Sequence, residues 1–113
     1  MSASFEVHVT AGTREEAERI CTAAVNDRVA ACAQIIGPIS SLYRWEGKVE
    51  KSEEFLVLLK TGEHRLDELV SLVKDTHSYE TPEIVAVPIE GGLPDYLNWI
   101  AAETAEQPFR PAS

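Results

Sequence analysis

His77 is the side chain best suited to chemistry in this sequence. A neutral imidazole is a good ligand for copper or zinc near neutral pH, and Glu80 and Glu83 follow it within the segment Thr76-His77-Ser78-Tyr79-Glu80-Thr81-Pro82-Glu83. Together they could form a mixed nitrogen and oxygen site. The competing role is that of a loop histidine bonded to a backbone carbonyl or to a neighbouring subunit. Cys32 is the second candidate ligand, because a thiolate favours Cu(I) or Zn(II). Its neighbours Ala30, Ala31 and Ala33 equally suit a small thiol packed in a core. Lys60, Tyr79, Glu80 and Glu83 form an alternative constellation around a small ligand, in which Lys60 receives an anionic group and the carboxylates position a cation or a polar substituent. His8 and His64 have no supporting cluster and are expected at solvated strand and helix positions.

No serine-histidine-acid order, phosphate-cradling glycine loop, HExxH or paired-cysteine motif occurs. A non-enzymatic protein without an obligatory cofactor is therefore expected, copper or zinc being the ions its ligand types would accept. Nineteen acidic residues against ten Lys plus Arg leave a net charge of -9, which repels phosphate backbones and anionic membranes. Lys48 and Lys51 are interleaved with Glu46, Glu50, Glu53 and Glu54 and make no nucleic-acid track. No apolar run approaches the roughly 20 residues of a membrane span, and no targeting segment stands at the start. The expectation is a soluble, cytoplasmic protein with reduced thiols at Cys21 and Cys32, Cys21 lying in a helical core stripe.

The elements that must position these residues centre on the stretch from Val29 to Thr61. Two runs rich in strand formers meet at Trp45-Glu46-Gly47-Lys48, which predicts a long antiparallel hairpin. Gly37-Pro38 interrupts the first run and predicts a bulge dividing an inner half from a protruding one. In the second run Phe55, Val57 and Leu59 alternate with Leu56 and Leu58, so both strand faces are apolar and need two covers. Phe5 to Thr10 alternates as a half-buried strand, and Thr13 with Glu16 forms a capping box for a helix over 13–28. A second helix is predicted over 62–75 and an apolar strand over 84–89, with Pro88 placing it at an edge. A short third helix follows around Leu93, Tyr96, Leu97 and Ile100.

This order predicts an α+β ferredoxin-like split β-α-β fold with an added C-terminal short helix. One domain over residues 1–104 and a flexible tail over 105–113 are expected. Two main helices cover one sheet face only, so a second subunit is expected over the other. Aromatics near the hairpin tip favour burial against a partner, and Tyr43, Trp45, Phe55 and Val87 are the predicted interface residues, with sheets extended across the boundary.

Ala30-Ala31-Cys32, Ser41-Leu42-Tyr43-Arg44-Trp45-Glu46-Gly47-Lys48, Ser52-Glu53-Glu54, Lys60-Thr61, His77 to Ile84 and Tyr96-Leu97-Asn98-Trp99-Ile100 resemble, in order and spacing, the successive motifs of the CutA family of divalent-cation-tolerance proteins. The resemblance covers about residues 5 to 101. It implies a ferredoxin-like subunit in a compact homotrimer, laid out like the nitrogen-regulatory PII signalling proteins, with binding of copper or other divalent cations. Two functions fit: a trimeric metal-binding protein of cation homeostasis, or a trimeric scaffold or signalling module whose intersubunit cleft takes a metabolite or partner protein. The chain departs from the family pattern at Ser78, where a proline is usual, and this is expected to loosen the loop carrying His77. Ala11-Gly12-Thr13 and Asn26-Asp27-Arg28 depart from it only at the ends of the first helix.

Overall fold

The computed structural model describes residues 3–106. The first strand, β1 (Ser4–Ala11), alternates as its sequence requires. Val7, Val9 and Ala11 are fully buried, while Glu6 and His8 face the other way and stay partly exposed. Thr13 then caps α1 (Arg14–Asn26) by accepting the Glu16 N–H at 3.1 Å. The second half of the predicted capping box does not form. Glu16 turns away from Thr13 toward the segment after the second helix, where Ser78 holds it. Helix α1 stops earlier than predicted because Arg28 takes a left-handed conformation at φ 59°, and the N–H groups of Val29 and Ala30 fold back onto the Ala24 carbonyl. Arg65 donates to the exposed carbonyls of Asp27 and Arg28 at 3.1 and 3.4 Å, completing the cap from outside the helix.

Strands β2 (Cys32–Trp45) and β3 (Lys48–Gly62) form the predicted hairpin, reversing with positive φ at both Glu46 (49°) and Gly47 (78°). That pair of angles matches the right-handed twist of the strands on either side. The bulge lies where Gly37-Pro38 forecast it: the register shifts between Ile36 and Ile39, and the extra residues of β2 are left without partners on β3. Gly37 has φ +153°, and a Cβ there would sit 2.9 Å from the Phe55 ring and 3.1 Å from the Glu54 carbonyl, so only glycine fits. Beyond the bulge the hairpin projects as an arm, contributing to a molecule of 51 × 35 × 21 Å. After β3, a single 3-10 turn (Glu63–Arg65) leads into α2 (Leu66–Thr76), then come β4 (Ile84–Ile89) and α3 (Pro94–Glu103).

All four strands pair antiparallel in the order β2-β3-β1-β4, with Pro88 on the edge strand β4 as anticipated. The core joins one sheet face to both main helices. Val7, Val9, Val57 and Leu59 meet Ala17, Ile20 and Ala24 of α1 and Leu69 and Val73 of α2. This is the ferredoxin-like α+β arrangement, with both helices on one face and a short third helix added. The opposite face carries Glu6, His8 and Thr10 of β1 with their cross-strand partners Lys60, Leu58 and Leu56. Val85 and Val87 of β4 extend it and are 49% and 40% exposed. Within the chain, α3 lies at one end of this face only, where Tyr96 meets Cys32 at 3.5 Å.

Candidate functional site

Where the arm leaves the sheet, the segment after α2 folds across the end of β1 and encloses a cleft of about 860 Å³. His77 anchors that segment. Its buried ring donates from Nε2 to the Thr10 carbonyl at 2.7 Å, and its Nδ1 accepts the Tyr79 N–H at 3.1 Å. These two bonds fix the tautomer and occupy both nitrogens, leaving no lone pair for a metal. The Glu16 carboxylate stands 4.0 Å from Nδ1 and accepts the Ser78 N–H at 2.8 Å. Burial pushes the Glu16 carboxyl up, but the Ser78 hydrogen bonds, the His77 ring and the Gly12 N–H together outweigh it and hold the group below its ordinary range. Ser78 therefore tightens the segment. A proline at this position would have no N–H to give Glu16, so the expected loosening is reversed.

Tyr79 carries the anchoring on into the cleft. Its ring packs 4.6 Å from that of His77, and its hydroxyl donates to Glu54 Oε2 at 3.1 Å. Burial, then the hydrogen bond and charge of Glu54, with smaller effects of Glu16 and Tyr43, push the Tyr79 hydroxyl up to about 12, so it remains a neutral donor. Glu54 is only 7% exposed as a residue, and among the described residues no buried side-chain nitrogen or oxygen is without a hydrogen-bond partner. Glu80 and Glu83 are exposed on the same rim, while Tyr43, Trp45 and Pro82 supply aromatic and apolar wall. Among the described residues, none that lines the cleft is basic.

Of the residues singled out from the sequence, the structure brings together Tyr79, Glu80 and Glu83 and adds Glu54. It separates the others. Lys60 bonds to Gln34 at 2.8 Å, lies 3.8 Å from Glu6, and lines a different hollow of about 350 Å³ beside α3. Cys32 pairs across the sheet with Lys60, which pairs with Glu6, whereas His77 bonds to Thr10. Glu6 and Thr10 are four positions apart along β1, about 13 Å at some 3.3 Å each, so Cys32 and His77 of one chain cannot share an ion. Among the described residues no three His, Cys, Asp or Glu side chains are grouped to hold a metal.

The other placements are as specific. His8 contacts Glu6 at 2.7 Å on the open sheet face, and His64, expected to be merely solvated, donates to the Thr104 carbonyl at 2.9 Å. Burial and then Glu18 push the Cys21 thiol up to about 11, which keeps it protonated beside the core. Tyr43, Trp45 and Val87 are exposed. Phe55 points to the helix side instead, packed on the core with the Arg14 guanidinium 5.4 Å from its ring centroid. Glu54 is the site residue hidden in the sequence. Its one signal is its position in Ser52-Glu53-Glu54, just before the apolar half of β3.

The chain is a ferredoxin-like α+β domain with a projecting hairpin arm, a largely uncovered sheet face and an acidic cleft at the base of the arm, an architecture that by itself fixes no function. Residues 5–103 match the CutA1 divalent ion tolerance protein family, and the chain belongs to it. The divalent-cation tolerance protein CutA of Archaeoglobus fulgidus is 45% identical over 100 residues, covering 88% of this chain and 96% of that protein. The chloroplastic CutA 1 protein of Oryza sativa subsp. japonica is 41% identical over 103 residues, covering 91% of this chain. The chain spans only 58% of the rice protein's length, and 56% of that of the Arabidopsis thaliana chloroplastic relative. Among solved structures, the divalent cation tolerance protein of Thermus thermophilus superposes with a TM-score of 0.88 at 40% identity, covering 90% of this chain and 99% of that one. Rice CutA1 superposes with a TM-score of 0.89 at 40% identity, covering 93% and 96%.

Proposed function

We propose that this chain serves divalent-cation tolerance as a non-enzymatic, cytoplasmic homotrimer that receives the cation at the cleft carboxylates Glu54, Glu80 and Glu83. The observation that carries this reading is the uncompensated charge of the cleft: three carboxylates, one of them buried, surround a space with no basic residue among its described lining. His77 acts behind them as the anchor of the segment, not as a ligand, and Cys32 of the same chain is out of reach. Neighbouring copies in the trimer complete the coordination that one chain lacks. Copper and zinc bind ahead of magnesium at such oxygen donors, following the usual order of divalent affinities. Magnesium nevertheless competes measurably, as it would not at a nitrogen and sulfur site.

Calorimetric titration of the assembled protein with Zn²⁺, alone and with millimolar Mg²⁺, tests this. Competition by Mg²⁺, together with loss of Zn²⁺ binding in Glu83→Gln, is expected. Zn²⁺ binding that is indifferent to Mg²⁺ and to Glu83 contradicts the carboxylate site.

One feature favours a second reading. Leu42, Tyr43, Trp45 and Pro82 give the cleft an organic wall that a bare ion does not use. A trimeric signalling or scaffold module that takes a metabolite or partner protein there would use it.

A further inference from the structure

We infer that the segment after α2 is a pH-sensitive strap across the cleft: a proton taken up by His77 turns Nδ1 from the Tyr79 N–H to the Glu16 carboxylate and releases Tyr79. The inference is independent of what the cleft receives. It rests on the placement of three groups around one nitrogen. His77 Nε2 donates to the Thr10 carbonyl at 2.7 Å, so the neutral ring keeps its lone pair on Nδ1, where it accepts the Tyr79 N–H at 3.1 Å. The Glu16 carboxylate stands at the same nitrogen. Its Oε2 accepts the Ser78 N–H at 2.8 Å, and its Oε1 lies 4.0 Å from Nδ1. A neutral Nδ1 therefore serves the Tyr79 N–H, and a protonated one, itself a donor, serves the carboxylate.

The charges around the ring favour the exchange. The His77 side chain is fully buried and that of Glu16 is 5% exposed, so water screens the pair little. Glu16 lies below its ordinary range and is charged wherever an imidazole titrates. Among the described residues it is the one carboxylate within 4.0 Å of the ring. Arg19 stands 3.8 Å from Glu16 Oε2, but its side chain is 61% exposed, and an exposed partner at that distance neutralises Glu16 weakly. The other elements around His77 offer backbone carbonyls: Thr10 from β1 to the ring and Val73 from α2 to the His77 N–H. Beyond Tyr79 lies Glu54 of β3.

Protonation leaves Nδ1 and the Tyr79 N–H as two donors facing each other, so the bond between them is lost. Closing the gap to Glu16 Oε1 then makes a charge-assisted hydrogen bond in its place. Tyr79 is otherwise held by its ring, 4.6 Å from that of His77, and by its hydroxyl on Glu54 at 3.1 Å. Both contacts depend on where its backbone sits. Residues 79 to 83 all line the cleft, so a shift at Tyr79 changes the cleft wall. The cleft thus has one shape near neutral pH and another in mild acid.

Nitrogen-15 NMR of the full-length protein in its native assembly, titrated from roughly pH 8 to pH 5 across the imidazole range, tests this. The His77 ring nitrogens report its tautomer and proton, and the Tyr79 amide reports the strap. At the alkaline end the Nε2–H tautomer is expected. On acidification Nδ1 should gain a proton while the Tyr79 amide signal moves and its hydrogen exchange quickens, all with one midpoint. Glu16→Gln, which keeps an oxygen for the Ser78 N–H but removes the charge, should move that midpoint to lower pH. His8 bonds to Glu6 and His64 to the Thr104 carbonyl, so their titrations should leave the Tyr79 amide unmoved. A His77 ring that stays neutral to pH 5 overturns the inference. So does a ring that takes up its proton while the Tyr79 amide keeps its shift and protection, or a folded Glu16→Gln protein with an unchanged midpoint. If Glu16→Gln fails to fold, the parent titration alone decides.

Discussion

His77 shows how far a residue's type can mislead about its role. Imidazole chemistry makes it the natural metal ligand of the sequence, yet its ring is spent on the Thr10 carbonyl and the Tyr79 N–H. The backbone-bonded role weighed beside ligation is the one the fold uses, because a strand end and a loop bring two backbone groups to the two nitrogens. His77→Ala should therefore lower stability by about 1–3 kcal/mol through unsatisfied buried partners, read by urea unfolding. Ser78→Pro removes the N–H that Glu16 accepts and should cost on the order of 1 kcal/mol by the same measurement. Glu16 also sets an acid dependence. Its folded pKa lies below its unfolded value, so its contribution is fully present above the unfolded carboxylate range and fades as pH falls through the folded one. Glu16→Gln should accordingly flatten the loss of stability below roughly pH 4.3, and an unchanged acid limb would show that Glu16 does not contribute. Glu54 could not be picked out beforehand. In sequence it is one acid among Glu46, Glu50, Glu53 and Glu54, and what sets it apart is the fold, which buries it and brings the Tyr79 hydroxyl to its carboxylate.

At the scale of elements the sequence was informative wherever periodicity or turn chemistry was strong. Alternation in β1, the positive-φ turn at Glu46-Gly47 and the interruption at Gly37-Pro38 each identified the observed feature. Helix ends were less legible. Asn26-Asp27-Arg28 contains no glycine, and the cap that stops α1 is completed by Arg65, far away in sequence but adjacent in space. Likewise residue 62, the predicted start of the second helix, ends β3, and a 3-10 turn over Glu63–Arg65 precedes α2, which begins at Leu66. The bulge at Gly37 matters beyond the hairpin, since it lies against Phe55 and the Glu54 carbonyl. Gly37→Ala should destabilise the fold by about 2 kcal/mol or more, because the strained φ and the overpacking against Phe55 act together. Differential scanning calorimetry measures this. A Tm indistinguishable from that of the parent would mean that the bulge relaxes freely.

The whole molecule has one sheet face sealed by α1 and α2 and another left largely open. Ile36, Val85 and Val87 are 40 to 49% exposed, and Leu42, Trp45 and Val49 on the arm are more than half exposed. Such apolar surface fits burial in an assembly, and the proposed homotrimer accounts for it. The copy number comes from the family resemblance, because patterning tells only that a cover is needed. Trp45→Ala should weaken association by on the order of 2 kcal/mol, seen as a concentration-dependent shift in sedimentation, while the unfolding midpoint of the dissociated chain stays near that of the parent. The central claim joins this assembly to the cleft: the cation is held by carboxylates at the base of the arm, with His77 behind them. The most direct measurement is Zn²⁺ affinity at neutral pH for the parent, Glu54→Gln and His77→Ala, each first shown by sedimentation to be trimeric. Glu54→Gln should weaken binding more than His77→Ala does, because the first removes an oxygen ligand and the second only loosens the segment behind the site. The reverse order, with His77→Ala abolishing binding and Glu54→Gln leaving it intact, would contradict the account.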